Sequence, residues 1–195
     1  MKNPTLLKEM LHYRGRDEMP DDFDTFWNKQ VAEVEVPQDY QLLEKDFQIA
    51  YATCYELTFK SGNGGQIYAK LVVPKLSEKV PVLFHFHGYM GQGWDWADML
   101  AYTAAGWGVV SMDVRGQSGY SLDGDREVRG NTVKGHIIRG ALDGPDQLFF
   151  KDVYLDVYTL VELVAGLDFV DENRLSSFGG SQGGALALVA AALNS

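Results

Sequence analysis

The segment with the clearest chemistry is Gly179-Gly180-Ser181-Gln182-Gly183-Gly184. It holds Gly-x-Ser-x-Gly, placed between a strand-like run, Arg174 to Phe178, and a small-residue helix, Gln182 to Leu193. That context predicts a turn so tight that the serine backbone is strained and the residues two positions away must be small. Gly179 and Gly183 meet this need. The Ser181 hydroxyl would then stand above the carboxyl edge of a sheet as a nucleophile. The N–H of Gln182, first in the helix, would point to the same place and stabilise an oxyanion. A second donor is expected from the loop after an upstream strand, Val80 to Phe86. That strand ends in His87-Gly88-Tyr89, with Tyr89 where the second N–H belongs and Gly88 letting the backbone approach. A glycine-rich helix start that merely packs closely is the plain alternative, and the strand-before, helix-after setting weighs against it.

Other polar residues read as structural. His85 and His87 share a strand face, but no third ligand at metal spacing accompanies them. His87 is expected to bond its own loop rather than act as a base. His136, in Gly135-His136-Ile137-Ile138-Arg139-Gly140, is another candidate base with no adjacent signature, and His12 reads as a surface residue. Arg115 follows a strand directly and is expected to fix a loop through backbone carbonyls or a carboxylate. Asp113 beside it reads as half of an internal ion pair. Asp123, Asp125 and Glu127 read as a solvated cluster rather than a calcium loop. With no dinucleotide glycine motif, phosphate loop or metal cluster, no cofactor is implied.

These residues need elements to position them. Phe23, Phe26, Trp27, Val31 and Val34 form one stripe of a helix over Asp21 to Val34. Thr53–Lys60 and Gln66–Val73 alternate as strands around the turn Ser61–Gly65, an antiparallel hairpin. Val80–Phe86, a helix over Trp94–Ala105 and a strand over Trp107–Val114 make a parallel pair with a crossover. The stretch Arg115–Gln147 lacks periodicity and is long enough to imply a functional or interface role. Asp152–Leu167 is an amphipathic helix. The sum is an α/β fold: a mostly parallel sheet with an antiparallel hairpin at its front edge. One domain spans 1–195, with residues 1–40 as a helical extension packing on it.

Composition narrows the class. Seventeen Lys and Arg face 27 Asp and Glu in 195 residues, a net charge of −10, which disfavours nucleic acid or an anionic membrane as partner. The single cysteine, Cys54, excludes an internal disulfide framework. Met1–Leu11 lacks the apolar core of a secretory signal, and Gly183–Leu193 is too short to span a bilayer. A cytoplasmic setting is the expectation.

Phe86-His87-Gly88-Tyr89, Met112-Asp113-Val114-Arg115-Gly116-Gln117, Gly135–Gly140 and Gly179–Gly184 together resemble one known group. It is the acetyl xylan esterase and cephalosporin-C deacetylase group of α/β-hydrolases, carbohydrate esterase family 7. Tyr13-Arg14-Gly15 and Phe26-Trp27 fit as well. The resemblance implies a serine esterase acting on small acetylated carbohydrates or other small acetyl esters. Ser181 would be the nucleophile, the N–H groups of Tyr89 and Gln182 the oxyanion hole, and Arg115 and Gln117 part of a signature shaping the nearby loop. It also implies ring-like hexamers.

One departure stands out. The family's triad runs Ser, acid, His along the chain. Only 14 residues follow Ser181, none of them Asp, Glu or His. The four histidines precede Tyr, Phe, Gly and Ile, so the family's His-Glu pair is absent. The chain therefore reads as the amino-terminal part of such an enzyme, truncated after the elbow helix. The strand before Ser181 is expected to become an exposed edge, covered by a carboxyl-terminal fragment or a second copy. A non-catalytic remnant that keeps the fold for binding or assembly is the rival reading.

Overall fold

The computed structural model describes residues 4–124 and 136–194. Of the residues named above, Asp125, Glu127 and Gly135 lie outside this range. The chain divides into two compact units, 1–33 and 34–195. In the first, α1 (Pro4–His12) precedes α2 (Phe23–Ala32). The aromatic stripe of α2 is knit internally, with Phe26 edge-on to Trp27 at 5.3 Å between ring centroids.

The second unit is built on six strands: β1 (Gln41–Lys45), β2 (Ala52–Lys60), β3 (Gln66–Pro74), β4 (Val80–Phe86), β5 (Gly108–Met112) and β6 (Val170–Gly179). Their spatial order is β1-β2-β3-β5-β4-β6. The hairpin β2–β3 is antiparallel, as its alternation predicts, and its turn over Gly62–Gly64 is tightened by Asn63 at φ 55°. β3 joins β5 antiparallel, and β5, β4 and β6 run parallel to one another. The front edge is β1, paired antiparallel to β2, rather than the hairpin itself. Only two of its five residues, Leu42 and Lys45, are partly buried, so its sequence carries little apolar signal.

Three helices sandwich the sheet: α3 (Trp96–Thr103), α4 (Phe149–Ala165) and α5 (Gln182–Leu193). Period-two alternation sorts the strand side chains onto two faces. Val80, Val82, Phe84 and Phe86 join Leu57, Leu71, Val110 and Met112 on the face covered by α4 and α5, through Val153, Val157, Leu160, Val164 and Leu186. Each such full burial contributes about 1.5–3 kcal/mol. The opposite face holds Cys54, Val72 and Val109 under Met99 of α3, with Trp94, Trp96 and Leu100 packed alongside. Helix α3 is shorter than its periodicity suggests, because Trp94 is drawn out of helical register by its N–H, which donates to Ser111 Oγ at 2.8 Å. Helix α4 begins three residues early, at Phe149, whose N–H bonds the Arg139 carbonyl at 2.9 Å.

Among the described residues β6 pairs only with β4, so its other side is an open edge. Two grooves of about 600 and 300 Å³ flank that edge, and Leu175 and Ser176 line both.

Candidate active site

The sharp turn between β6 and α5 is present. Ser181 has φ 56° and ψ −124°, a backbone region that costs a non-glycine residue on the order of 1–3 kcal/mol. Both flanking glycines are compulsory. A Cβ on Gly183 would lie inside the Phe86 carbonyl, and one on Gly179 would collide with the backbone of Gly183 and Phe86. The elbow is thus pressed directly against the end of β4, and Ser181 itself stays exposed. Gly183 and Gly184 donate to the carbonyls of Gly180 and Ser181 at 2.9 and 3.0 Å. Gln182 stands at the first position of α5, where a helical N–H has no carbonyl four residues back.

The loop after β4 reaches the same place. An ideal Cβ on Gly88 would sit 3.7 Å from Ser181 Cβ. That distance is ordinary contact, so close approach does not itself require glycine at 88, contrary to the sequence expectation. The peptide between Gly88 and Tyr89 is fixed by its carbonyl, which accepts the Gly91 N–H at 2.9 Å and pairs with His87 Nδ1 at 2.8 Å. A peptide is planar and trans, so pinning the carbonyl directs the Tyr89 N–H to the opposite side.

His87 is held at both nitrogens. Nε2 accepts the Val114 N–H at 3.0 Å, which makes Nδ1 the protonated nitrogen that donates to Gly88. Burial holds its pKa below the ordinary histidine value. This is the loop-bonding role expected for it, and neither nitrogen is left to accept a proton from Ser181. His85 Nδ1 is 2.8 Å from Ser111 Oγ, and its ring stacks on Trp94 at 4.0 Å. Burial, with a smaller contribution from His87, pushes its pKa down to about 4. His12 is exposed and bonds the Lys8 carbonyl at 2.7 Å. Among the described residues no group of three His, Cys, Asp or Glu is placed to hold a metal ion.

Asp113 is not the ion-pair partner of Arg115. Its carboxylate accepts backbone N–H groups from Gly93 at 2.6 Å and Tyr120 at 2.8 Å, tying together the loops after β4 and β5. Gly119, at φ 98°, turns the chain so tightly around that carboxylate that a side chain there would overlap it. Arg115 is completely buried and grips Asp156 of α4, from Nε at 2.6 Å and Nη2 at 2.5 Å. Nη2 also donates to the Gly62 carbonyl at 3.0 Å, so the guanidinium clamps the hairpin turn to α4. Asp123 and Asp152 complete its surroundings at 3.6 and 3.9 Å. Burial opposes the charge, yet Asp156 and its paired hydrogen bonds hold the Arg115 pKa above normal. The fixing role expected for Arg115 is present, with a partner 41 residues away that no local spacing announces.

Gln117 is the crosspiece. Its Oε1 accepts the Met90 N–H at 2.9 Å, and its Nε2 donates to Gln182 Oε1 at 2.7 Å. Gln182 Nε2 returns a bond of 3.2 Å, and Ser118 Oγ donates to the Met90 carbonyl at 2.8 Å. Met90 itself adopts φ 63°. One side chain therefore links the loop carrying Tyr89, the loop after β5 and the first turn of α5. Chemically the arrangement offers an exposed hydroxyl with the braced loop at Gly88 and the first turn of α5 beside it. It offers no described proton acceptor for that hydroxyl.

Comparison with known proteins follows this geometry. The sequence pattern of the acetyl xylan esterase (AXE1) family matches residues 1–195. The chain is 29% identical over 182 residues to acetyl esterase Axe7A of Xylanibacter ruminicola, covering 90% of this chain and 41% of that protein. Acetyl xylan esterase 1 from Thermoanaerobacterium sp. JW/SL YS485 superposes with a TM-score of 0.87 at 43% identity, over 96% of this chain and 59% of that one. Acetyl xylan esterase from Paenibacillus sp. R4 gives 0.83 at 30% identity, over 96% and 60%. The α/β hydrolase GrgF from Penicillium sp. sh18 is similar in fold alone, with a TM-score of 0.51 at 17% identity over 71% and 41% of the two chains. The chain thus spans about 60% of the solved esterases it resembles and less than half of the curated relative.

Proposed function

From the premise that this chain belongs to the acetyl xylan esterase family and has the α/β-hydrolase fold, we propose that it carries the nucleophile and oxyanion half of a serine acetylesterase. The observation supporting it most directly is the strained, exposed Ser181 at the start of α5, with the braced Gly88–Tyr89 peptide beside it. Ser181 Oγ attacks the acetyl carbonyl as its proton passes to a base. The oxyanion rests on the N–H groups of Gln182 and Tyr89. The bond from the acyl carbon to the alcohol oxygen then breaks, and that oxygen takes the proton from the base. Water, deprotonated by the same base, attacks acetyl-Ser181 and releases acetate. Small acetylated sugars and other small acetyl esters are the proposed substrates.

We assign the base to a histidine, with its acid partner, that is not among the described side chains and that packs against the open side of β6. His87 and His85 are committed to Val114, Gly88 and Ser111, and no titratable side chain of acid or imidazole type follows Ser181. Oxyanion and binding groups alone retain roughly 10³–10⁴-fold acceleration over water in a triad hydrolase stripped of its triad. The 195-residue chain is therefore expected to acetylate slowly at Ser181 and turn over little.

The test is intact-mass and peptide mapping after incubation with p-nitrophenyl acetate. Slow, stoichiometric acetylation at Ser181, absent from Ser181→Ala, is the expected result. Modification elsewhere, or none, overturns the assignment of the nucleophile. Turnover at the rate of a complete esterase overturns the assignment of the base to another segment.

A further inference from the structure

The glycines around Ser181 differ in what demands them. Gly179 and Gly183 are excluded from carrying a side chain by backbone they would overlap, and Gly119 by its positive φ and the Asp113 carboxylate. Gly88 has neither reason. Its backbone does not take a positive φ. A Cβ there would meet only the Gly180 carbonyl oxygen and Ser181 Cβ, each at 3.7 Å. The fold tolerates alanine at 88, yet the place its methyl would fill lies against the proposed nucleophile.

We infer that this space receives the methyl group of the acyl moiety, so that Gly88 determines the size of acyl group transferred. The orientation follows from where protons can go. As the ester bond breaks, the leaving oxygen needs a proton donor. The proposed base packs on the open side of β6, away from the loop 87–91, and the imidazole of that loop is committed, Nδ1–H of His87 to the Gly88 carbonyl and Nε2 to the Val114 N–H. The alcohol part must face away from this loop. With the carbonyl oxygen between the Tyr89 and Gln182 N–H groups, the remaining substituent on the acyl carbon is turned toward residue 88. An acetyl methyl and an alanine methyl at 88 would compete for one volume, whereas a formyl hydrogen would not. This inference rests on Ser181 being the nucleophile.

The test uses the 195-residue chain as wild type, Gly88→Ala and Ser181→Ala, the last as blank. Acylation of Ser181 is followed with p-nitrophenyl formate and p-nitrophenyl acetate by p-nitrophenolate release and intact mass. Gly88→Ala is expected to slow acetylation about 10-fold or more and to leave formylation within about twofold of wild type. Equal slowing of both esters, or of neither, overturns the acyl-room inference and leaves Ser181 as nucleophile intact. Gly88→Ala failing to fold, read by circular dichroism, also overturns it, since glycine would then be demanded by structure. Absence of any Ser181 acylation in wild type overturns the proposed function and this inference with it.

Discussion

The two flanks of Ser181 are built differently. Toward β4 and β5, two loops and the first turn of α5 are braced by Asp113, His87, Gln117 and Ser118, and behind them Arg115 is locked on Asp156. Toward the outer side of β6, the sheet of the described residues ends in a strand paired on one side only, with two grooves along it. In the proposed mechanism the first flank supplies fixed dipoles for a developing negative charge. In that proposal no described residue of the second moves a proton. Stabilising an oxyanion needs only backbone that is held still, so it can be complete within one piece of chain. Proton transfer needs a side chain with an unengaged nitrogen or oxygen, and here His85 and His87, the described histidines beside the site, are consumed in the bracing.

The largest expected effect strikes the braced flank. Asp156→Ala leaves the buried Arg115 guanidinium without its bidentate partner, with only the more distant Asp123 and Asp152 carboxylates beside it, and should cost about 3–5 kcal/mol in urea unfolding. The paired change Arg115→Met with Asp156→Leu should recover most of that loss. A cost under about 1 kcal/mol for Asp156→Ala would show that this flank is not held by the ion pair.

Next is acid. His85 stays neutral in the fold down to about pH 4, whereas an unfolded histidine takes up a proton near pH 6.5. The unfolded state binds more protons in that window, so stability falls as pH drops through it, by about 3 kcal/mol. His87 adds in the same direction. His85→Phe should flatten this part of the pH profile measured by thermal unfolding. An unchanged slope would refute the assignment to His85.

The smallest effect falls on the crosspiece. Gln117→Ala unties Met90 and Gln182 and should cost about 1 kcal/mol of stability. Its signature is a several-fold slower Ser181 acylation with little change in ester concentration dependence, because it loosens donors rather than removes a binding surface. A loss of stability with unaltered acylation would confine Gln117 to a structural role.

Much of the scaffold was legible because its signals are local. The alternation in Gln66–Val73 and the apolar run Val80–Phe86 end within a residue of the observed strands, and Gln182–Leu193 matches α5. Gly179 and Gly183 announce the elbow because backbone overlap admits nothing larger. What stayed hidden depends on distant partners. The Arg115–Asp156 grip joins residues 41 apart, and Asp113 looked like a cation's partner because its true donors are backbone N–H groups, which no residue type reveals. β1 escaped notice since its burial pattern lacks alternation, whereas α1 was missed although Pro4 stands at its first position, where proline favours a helix start. The hydrogen-bonding of Gln117 to Gln182 had only a motif as its trace.

The torsions at residue 181 carry a consequence for inheritance as well as chemistry. A serine held at φ 56° and ψ −124° sits where only an achiral residue is at ease. Ser181→Gly should therefore raise the melting temperature, while Ser181→Ala, which keeps the same misfit, should not. Every generation in which that position stays serine is one in which the polypeptide keeps a less durable form than a single-codon change would give it.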